Sequence, residues 1–371
     1  MSTTYPALFE PSQIGTLNIR NRLAVAPMTR VSAQQDGRVG PLMKAYYERF
    51  AAGGFGMIIT EGLYTDELYS QGYYGQAGIA SQEQAQSWQP VVAGVHAKGT
   101  VIIAQLMHAG ALSQYNRFTD KTAGPSAVQP IGEQMSFYTG EGPYPIPEVM
   151  TAKDIDDAIQ GFVNSAKLAQ SAGFDGIEIH GANGYLLDQF LTDYTNQRED
   201  GYGGSISNRL RIFREVIDAV RSTVGESFVI GIRFSQKKVN DTEYVWPEGE
   251  ALAQQTFGLM HECGVNYIHT TEPVLNKPAF EGSATLASLA KKYSGLPVIA
   301  NGGVSKPDLA DVVLKSGQAD LVALGKIALA NPGWPELVKT KRVLREFDFA
   351  MLAPRANLDC EFRYYQALER H

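Results

Sequence analysis

Residues 176–191 read Gly-Ile-Glu-Ile-His-Gly-Ala-Asn-Gly-Tyr-Leu-Leu-Asp-Gln-Phe-Leu. The stretch begins as a short apolar run, of the kind that forms a strand buried on both faces, and breaks at Gly181. His180, Asn183 and Tyr185 emerge together at the break. Helical spacing lies on either side. Upstream, over 154–170, Ile155, Ala158, Ile159, Phe162, Val163, Ala166 and Ala169 fall on one face. Thr151 and Asp154 form a capping-box pattern before that helix, and Gly173 supplies its stop. Downstream, over 207–224, Leu210, Phe213, Val216, Ile217 and Val220 repeat the spacing, with Gly225 as the stop.

Seven further apolar runs resemble the one in that stretch: Leu23–Met28, Met57–Gly62, Val101–His108, Val229–Ser235, Tyr267–Glu272, Pro297–Gly303 and Leu321–Lys326. With Gly176–Gly181 they make eight strands, rich in Val, Ile and Leu, separated by helical stretches. Eight strand–helix repeats predict an α/β fold, the (β/α)₈ TIM barrel. An open doubly wound sheet shares the alternation, but no dinucleotide-type glycine fingerprint follows the first strand. Phe9 to Arg22 reads as an N-terminal hairpin closing the barrel bottom. About seventy residues separate the third strand from the fourth, and 111–150 is full of Gly, Pro, Ser, Gln and Tyr. It reads as an excursion that caps the site.

Composition narrows the class. The 371 residues are 44% hydrophobic, enough for a large core, and are read as a single barrel domain over 1–371. A formal charge of −7 argues against a nucleic-acid partner. Cys263 and Cys360 have no metal-ligand spacing. Met1 to Gly15 shows no secretion signal and no apolar run is long enough to cross a bilayer, so a cytoplasmic protein with no membrane partner is expected. A homo-oligomer stays open.

In a barrel the C-terminal strand ends face the active site. They carry Pro27, Met28 and Thr29; Gly62; Gln105 and His108; His180 and Asn183; Arg233; Gly302 and Gly303; and Gly325 and Lys326. The glycines after strands seven and eight, with Lys326, suit a phosphate held by backbone amides. Gln105 both donates and accepts, which suits an imide edge; Arg233 would stabilise negative charge on a ring, and Thr29 would donate to a ring carbonyl. His180 and Asn183 are donors for a carbonyl oxygen, and the Tyr185 phenol is an acid. His108 is expected to be a buried structural histidine; the sequence argues no partner for His96, His261 or His269. Tyr73, Tyr74 and Tyr138 stay unassigned between core, surface and pocket.

These residues carry a resemblance. Phe9-Glu10-Pro11 through Gly15, Ile19-Arg20-Asn21-Arg22, Ala26-Pro27-Met28-Thr29-Arg30, Gln105-Leu106-Met107-His108-Ala109-Gly110, His180 to Leu191, Asp200-Gly201-Tyr202-Gly203-Gly204-Ser205 to Asn208-Arg209, Arg233, Asn301-Gly302-Gly303 and Gly325 run in order over about residues 8–335. The chain resembles the Old Yellow Enzyme family of FMN-dependent ene-reductases. The resemblance implies tightly bound, non-covalent FMN with its phosphate at Gly303, Gly325 and Lys326, and NADPH or NADH as electron donor. It implies a small enone- or enal-type substrate, or a nitro compound, reduced in two half-reactions. His180 and Asn183 would hold the carbonyl oxygen, and Tyr185 would protonate the α-carbon. Lys326 stands where many relatives place arginine, and Thr29 where another branch places cysteine. The segment 347–371 matches no aromatic wall of the relatives, and Tyr364 and Tyr365 are left between the pocket and a subunit contact. Two readings stand beside this one: a phosphate-binding barrel lyase or isomerase using Lys326 as a Schiff-base amine, and a flavoprotein with a mainly binding role.

Overall fold

A computed structural model describes residues 4–368. Eight strands form the barrel: β1 (Leu23–Val25), β2 (Met57–Ile59), β3 (Val101–Met107), β4 (Gly176–His180), β5 (Val229–Ser235), β6 (Tyr267–Thr271), β7 (Val298–Asn301) and β8 (Leu321–Leu324). Each pairs in parallel with the next, and β8 pairs with β1, so the sheet closes. Helices α1 (Pro41–Ala52), α2 (Gln82–His96), α3 (Ala152–Ala172), α4 (Arg211–Val224), α5 (Glu250–Glu262), α6 (Leu286–Ser294) and α7 (Pro307–Lys315) follow the first seven strands. After β8 come α8 (Lys326–Ala330), α9 (Trp334–Lys339) and α10 (Leu358–Leu368). This is the expected (β/α)₈ barrel.

Local chemistry sets the boundaries. Thr151 Oγ1 accepts from the Asp154 amide at 3.2 Å while the Asp154 carboxylate accepts from the Thr151 amide at 2.8 Å, so the capping box before α3 is reciprocal. Gly173 ends that helix at φ +92°, a conformation that side-chain-bearing residues rarely adopt. Several strands pair over fewer residues than their apolar runs span. Strand β1 stops at Val25, just ahead of Pro27, which has no N–H to offer a ladder, and Lys326 begins α8 instead of ending β8. The helical stretch 207–224 divides at Leu210, where a short helix (Ile206–Arg209) hands over to α4. The peeled strand ends form the barrel mouth.

The bottom is closed by the expected hairpin, in which Ser12–Ile14 pairs antiparallel with Leu17–Ile19. Its Ile14 and Ile19 pack with Ile103, Val229, Tyr267 and Leu321 inside the barrel. Arg20 then fastens the bottom: its guanidinium donates to the carbonyls of Lys98, Ala51 and Phe55 at 2.8, 3.0 and 2.7 Å and to Thr100 Oγ1 at 2.9 Å. Arg20→Met should therefore strand several acceptors, at about 1–3 kcal/mol for each one left buried and unpaired. The expected result is a melting temperature several degrees lower, measured by calorimetry, with the native near-ultraviolet circular dichroism retained at 15 °C, a temperature chosen as roughly that of maximum stability.

Candidate active site

The strand ends and surrounding loops enclose a cavity of about 500 Å³ at the barrel mouth. Every site residue expected from sequence lines it: Pro27, Met28, Thr29, Gly62, Gln105, His180, Asn183, Tyr185, Arg233, Gly302, Gly303, Gly325 and Lys326. Their roles toward a ligand are a separate matter, and the geometry sorts them.

The floor is a charged network inside the barrel. Glu178 on β4 is fully buried and accepts three hydrogen bonds, from Gln105 Nε2 at 2.8 Å, Tyr267 OH at 3.0 Å and the His269 Nδ1 position at 2.9 Å. Burial raises its pKa, but His269, Arg233 and Gln105 outweigh that and hold the carboxylate below its ordinary value. The register makes the contacts possible. Gln105 lies opposite Glu178, and Glu178 opposite Gly231, which in turn pairs with Tyr267. A Cβ at Gly231 would sit 2.0 Å from the Tyr267 ring, so the glycine opens the path for that phenol to cross to Glu178. A carboxylate only accepts, so the Gln105 amide nitrogen must face it and the Gln105 carbonyl oxygen is left for a donor in the cavity.

Arg233 stands beside this network. Burial pushes its pKa down to about 10 and Glu178 opposes the shift, so the guanidinium is charged at neutral pH. Nη2 donates to Asn301 Oδ1 at 3.2 Å, and Asn301 is itself fixed by Thr271 at 2.7 Å and by the Ala323 carbonyl at 2.8 Å. The Arg233 Nε is buried without a protein partner. A ligand atom that accepts a hydrogen bond fits there.

The donor set lies at the end of β4. His180 is buried, and its pKa is held well below the ordinary value by desolvation, then by the charges of Arg233 and His269. It is therefore a neutral imidazole, and Nδ1 has no protein partner. Asn183 takes φ +63°, a left-handed conformation in which asparagine is among the tolerated residues. Its amide donates to Ser235 Oγ at 2.8 Å, and its carbonyl accepts from the Val239 amide at 3.0 Å. The backbone is thus clamped from β5 and its loop while the side chain lines the cavity. Tyr185 packs against His180 with ring centroids 5.1 Å apart, and its hydroxyl is hydrogen-bonded to that of Tyr73. Burial raises the pKa of both phenols; for Tyr185 the Tyr73 hydrogen bond works the other way.

Three sequence-level expectations need restating. Gly62 is demanded by packing, because a Cβ there would meet Met107 Sδ at 2.5 Å. Gly302 and Gly303 are likewise demanded by the protein's own backbone, with φ of +153° and +57° and Glu272 and Pro273 carbonyls where side chains would go. Gly325 differs: the nearest atom to a Cβ would be 3.8 Å away, so the space it leaves belongs to the cavity and its ligand. Lys326 is exposed, with its ammonium 4.7 Å from the Phe349 ring centre. His108 is buried and structural, as expected; Nδ1 accepts from the Gly110 amide at 3.1 Å and Nε2 lies 3.5 Å from Asp66.

Other parts of the site were not legible. Tyr73 is fully buried beside Tyr185, whereas Tyr74 is exposed against Tyr115. Met135, Phe137 and Tyr138 descend from the 111–150 excursion into the cavity wall, and Tyr138 OH donates to the Thr29 carbonyl at 3.2 Å. Phe347, Leu352 and Ala356 complete the wall, while Tyr364 and Tyr365 bond Asp348 and the Leu329 carbonyl instead and do not line it. His269 and Tyr267 could have been found from their i, i+2 spacing, which puts both on one strand face.

A flat flavin fits this set. An imide N–H can meet the Gln105 oxygen, the unpartnered Arg233 nitrogen can meet the ring's polar edge, and the open face at Gly325 with Lys326 can receive a phosphate. Among the described residues no cluster of metal-binding side chains occurs, and no helix is long and apolar enough to cross a membrane.

Comparison with known proteins agrees. Residues 7–345 match the model of the NADH:flavin oxidoreductase / NADH oxidase family. The chain is 34% identical to an NADH oxidase of Thermoanaerobacter brockii over 92% of its own length, but it spans only about half (52%) of that relative. It is 33% identical to 12-oxophytodienoate reductase 2 of Arabidopsis thaliana, covering 92% of this chain and 90% of the relative. Among solved structures, a morphinone reductase in complex with tetrahydroNAD superposes with a TM-score of 0.82 at 34% identity, over 92% and 93% of the two chains. The old yellow enzyme homologue from Zymomonas mobilis does so at 0.85 and 29% identity, over 95% and 99%.

Glu178→Gln tests the floor. The new amide can present its N–H to Gln105 and turn that side chain over, so flavin affinity should fall about tenfold or more, the effect of one mispaired buried hydrogen bond. Removing a negative charge beside the ring should also raise the flavin's reduction potential. The exchanged pair Gln105→Glu with Glu178→Gln should recover affinity relative to the single variant. Fluorescence titration and a redox titration read these outcomes, and a potential that falls would reject the assignment.

Proposed function

Because the chain belongs to the NADH:flavin oxidoreductase / NADH oxidase family, we propose that it is an ene-reductase acting on the activated C=C bond of α,β-unsaturated carbonyl or nitro compounds. It is an oxidoreductase, and its cofactors are FMN and a nicotinamide. Relatives named 12-oxophytodienoate reductase and morphinone reductase support a substrate bearing a ketone. The observation that carries the reading is that His180, Asn183 and Tyr185 line one cavity with Arg233 and the phosphate-ready end at Gly325 and Lys326.

FMN, held by Gln105, Arg233, Gly325 and Lys326, would supply the redox chemistry, a hydride passed from the reduced nicotinamide to the substrate β-carbon. The chain's own residues do the rest. His180 and Asn183 donate to the carbonyl oxygen, where negative charge grows as the double bond is attacked. A neutral His180 is suited to this, since it donates without carrying a proton that the enolate would strip at the wrong atom. Tyr185 delivers the proton to the α-carbon. Its hydroxyl proton can point into the cavity only if its oxygen accepts from Tyr73, and that hydrogen bond then stabilises the phenolate left behind. The balance is two electrons and a proton as hydride at Cβ and one proton at Cα, with the nicotinamide oxidised. Arg233 favours the negative charge of the reduced ring. The cap side chains Met135, Phe137 and Tyr138 keep water from the reacting atoms.

The lyase or isomerase reading of Lys326 loses its support here. That amine is exposed beside Phe349 and not enclosed in a pocket where a carbonyl carbon would be held against it.

The test is anaerobic. The protein is reduced with NADPH, 2-cyclohexenone is added, and flavin absorbance is followed. Rapid reoxidation with cyclohexanone formed is expected; a flavin that stays reduced would exclude the enone as acceptor. Tyr185→Phe should slow this step about a hundredfold or more, in the usual range for a lost general acid, and leave flavin reduction by NADPH untouched. Tyr73→Phe should slow it by about tenfold, matching one hydrogen bond to a charged oxygen. Equal slowing of both half-reactions in Tyr185→Phe would exclude Tyr185 as the proton donor.

A further inference from the structure

Beyond the phosphate end of the cavity the surface continues as a second groove of about 860 Å³. The two share Gly303, Lys326 and Phe347. Lys306, Lys326, Lys341, Arg342 and Arg345 line the groove against one carboxylate, that of Glu346. In a chain of net charge −7 that concentration is unusual. Among the described residues none of the five is in an ion pair, although exposed cations elsewhere in the chain often are. Like charges grouped without counter-charges repel one another, and an anion bound among them would relieve that repulsion.

The cationic turn is also fixed in place. Asn331, buried directly after α8, donates to the Arg345 carbonyl at 2.8 Å and accepts from the Arg345 amide at 2.8 Å. The Arg342 amide donates to the Leu337 carbonyl at 2.8 Å as the chain leaves α9, and Lys341 takes φ +56°. The short helix that begins at Lys326 therefore ends on the residue that positions Arg345. The other walls are apolar or aromatic, from Tyr5, Val338, Leu344 and Phe347. A groove this size, lined by the guanidinium groups of Arg342 and Arg345 and by the rings of Tyr5 and Phe347, is too large for phosphate alone and suits a flat base carrying phosphates.

We propose that this groove is a subsite for an adenosine phosphate beside the flavin phosphate. It rests on the reading of Gly303, Gly325 and Lys326 as the phosphate end of the flavin site. Two molecules carry that chemistry: the adenylate half of a flavin dinucleotide and that of the nicotinamide dinucleotide.

The probe is ADP, titrated calorimetrically into the FMN-loaded protein at low ionic strength. Saturable binding that weakens with salt is expected, with adenosine giving none. The Arg342→Ala/Arg345→Ala variant should bind ADP at least about tenfold more weakly, a loss of roughly 1.4 kcal/mol, while keeping its flavin absorbance and melting temperature. No saturable ADP heat, or an affinity unmoved by the double substitution, overturns the proposal. Two further arms find the source. If the subsite serves the flavin, apoprotein should prefer FAD over FMN by about tenfold more than the variant does. If it serves the donor, the variant should raise the KM for the nicotinamide by about tenfold, with kcat unchanged. Absence of both responses would overturn a dinucleotide role. Failure of the underlying flavin reading is seen separately: Lys326→Ala would then leave FMN affinity unchanged, or ADP would release FMN into the filtrate.

Discussion

A buried carboxylate organises the barrel mouth. Glu178 has no exposure, and an isolated charge at such a depth is unfavourable by several kcal/mol unless it is paired and hydrogen-bonded. Three strands answer it, Gln105 from β3 and Tyr267 and His269 from β6, with Arg233 from β5 close enough to lower its pKa. Each partner is thereby held in one orientation. The amide of Gln105 cannot rotate without facing a donor to a donor or an acceptor to an acceptor, and Arg233 is braced on its other side by Asn301. The strand ends that face the cavity are rigid because a charge beneath them must be satisfied.

The same network explains the division of charge above it. His180 lies close to Arg233 and His269, and both disfavour a second positive charge on its imidazole. The cavity is thus lined by one group that stays charged and one donor that stays neutral. Desolvation and neighbouring charge act together here, and neither residue alone would specify the arrangement.

Much of the scaffold was legible in the chain because parallel strands buried on both faces leave continuous apolar runs, and the Gly173 and Thr151 signals are local. The site residues at the ends of those runs were legible for the same reason: the barrel dictates where strand ends point. Glu178 and His269 were harder. Spacing can place Tyr267 and His269 on one strand face, but their partner Glu178 lies on a strand far away in sequence. Tyr73 was equally hidden, since its hydroxyl is hydrogen-bonded to a residue more than a hundred positions away. The Gly302–Gly303 pair shows the opposite difficulty. Its glycines look like a ligand's demand, yet the Glu272 and Pro273 carbonyls require them without any ligand.

Both sides of the mouth are fastened to the segment after β1. The excursion across 111–150 reaches Thr29 through the Tyr138 hydroxyl. The C-terminal helix α10 reaches the next residue, because the buried Glu361 carboxylate pairs with Arg30 at 2.7 Å and also with Arg49 on α1. Arg30 cannot drift, as its amide donates to the buried Glu61, which in turn meets the Tyr47 hydroxyl at 3.3 Å. Burial pushes the Glu61 carboxyl up to about 7, so its charge changes near neutral pH. Two walls of unrelated sequence, one from the middle of the chain and one from its end, are thus held to adjacent residues of a single loop. A displacement of that loop would move Met28, Thr29 and both walls of the cavity at once. The cavity's shape and the position of that loop are therefore mechanically the same variable, which gives the short Pro27–Arg30 segment an influence on the site well beyond the atoms it presents to it.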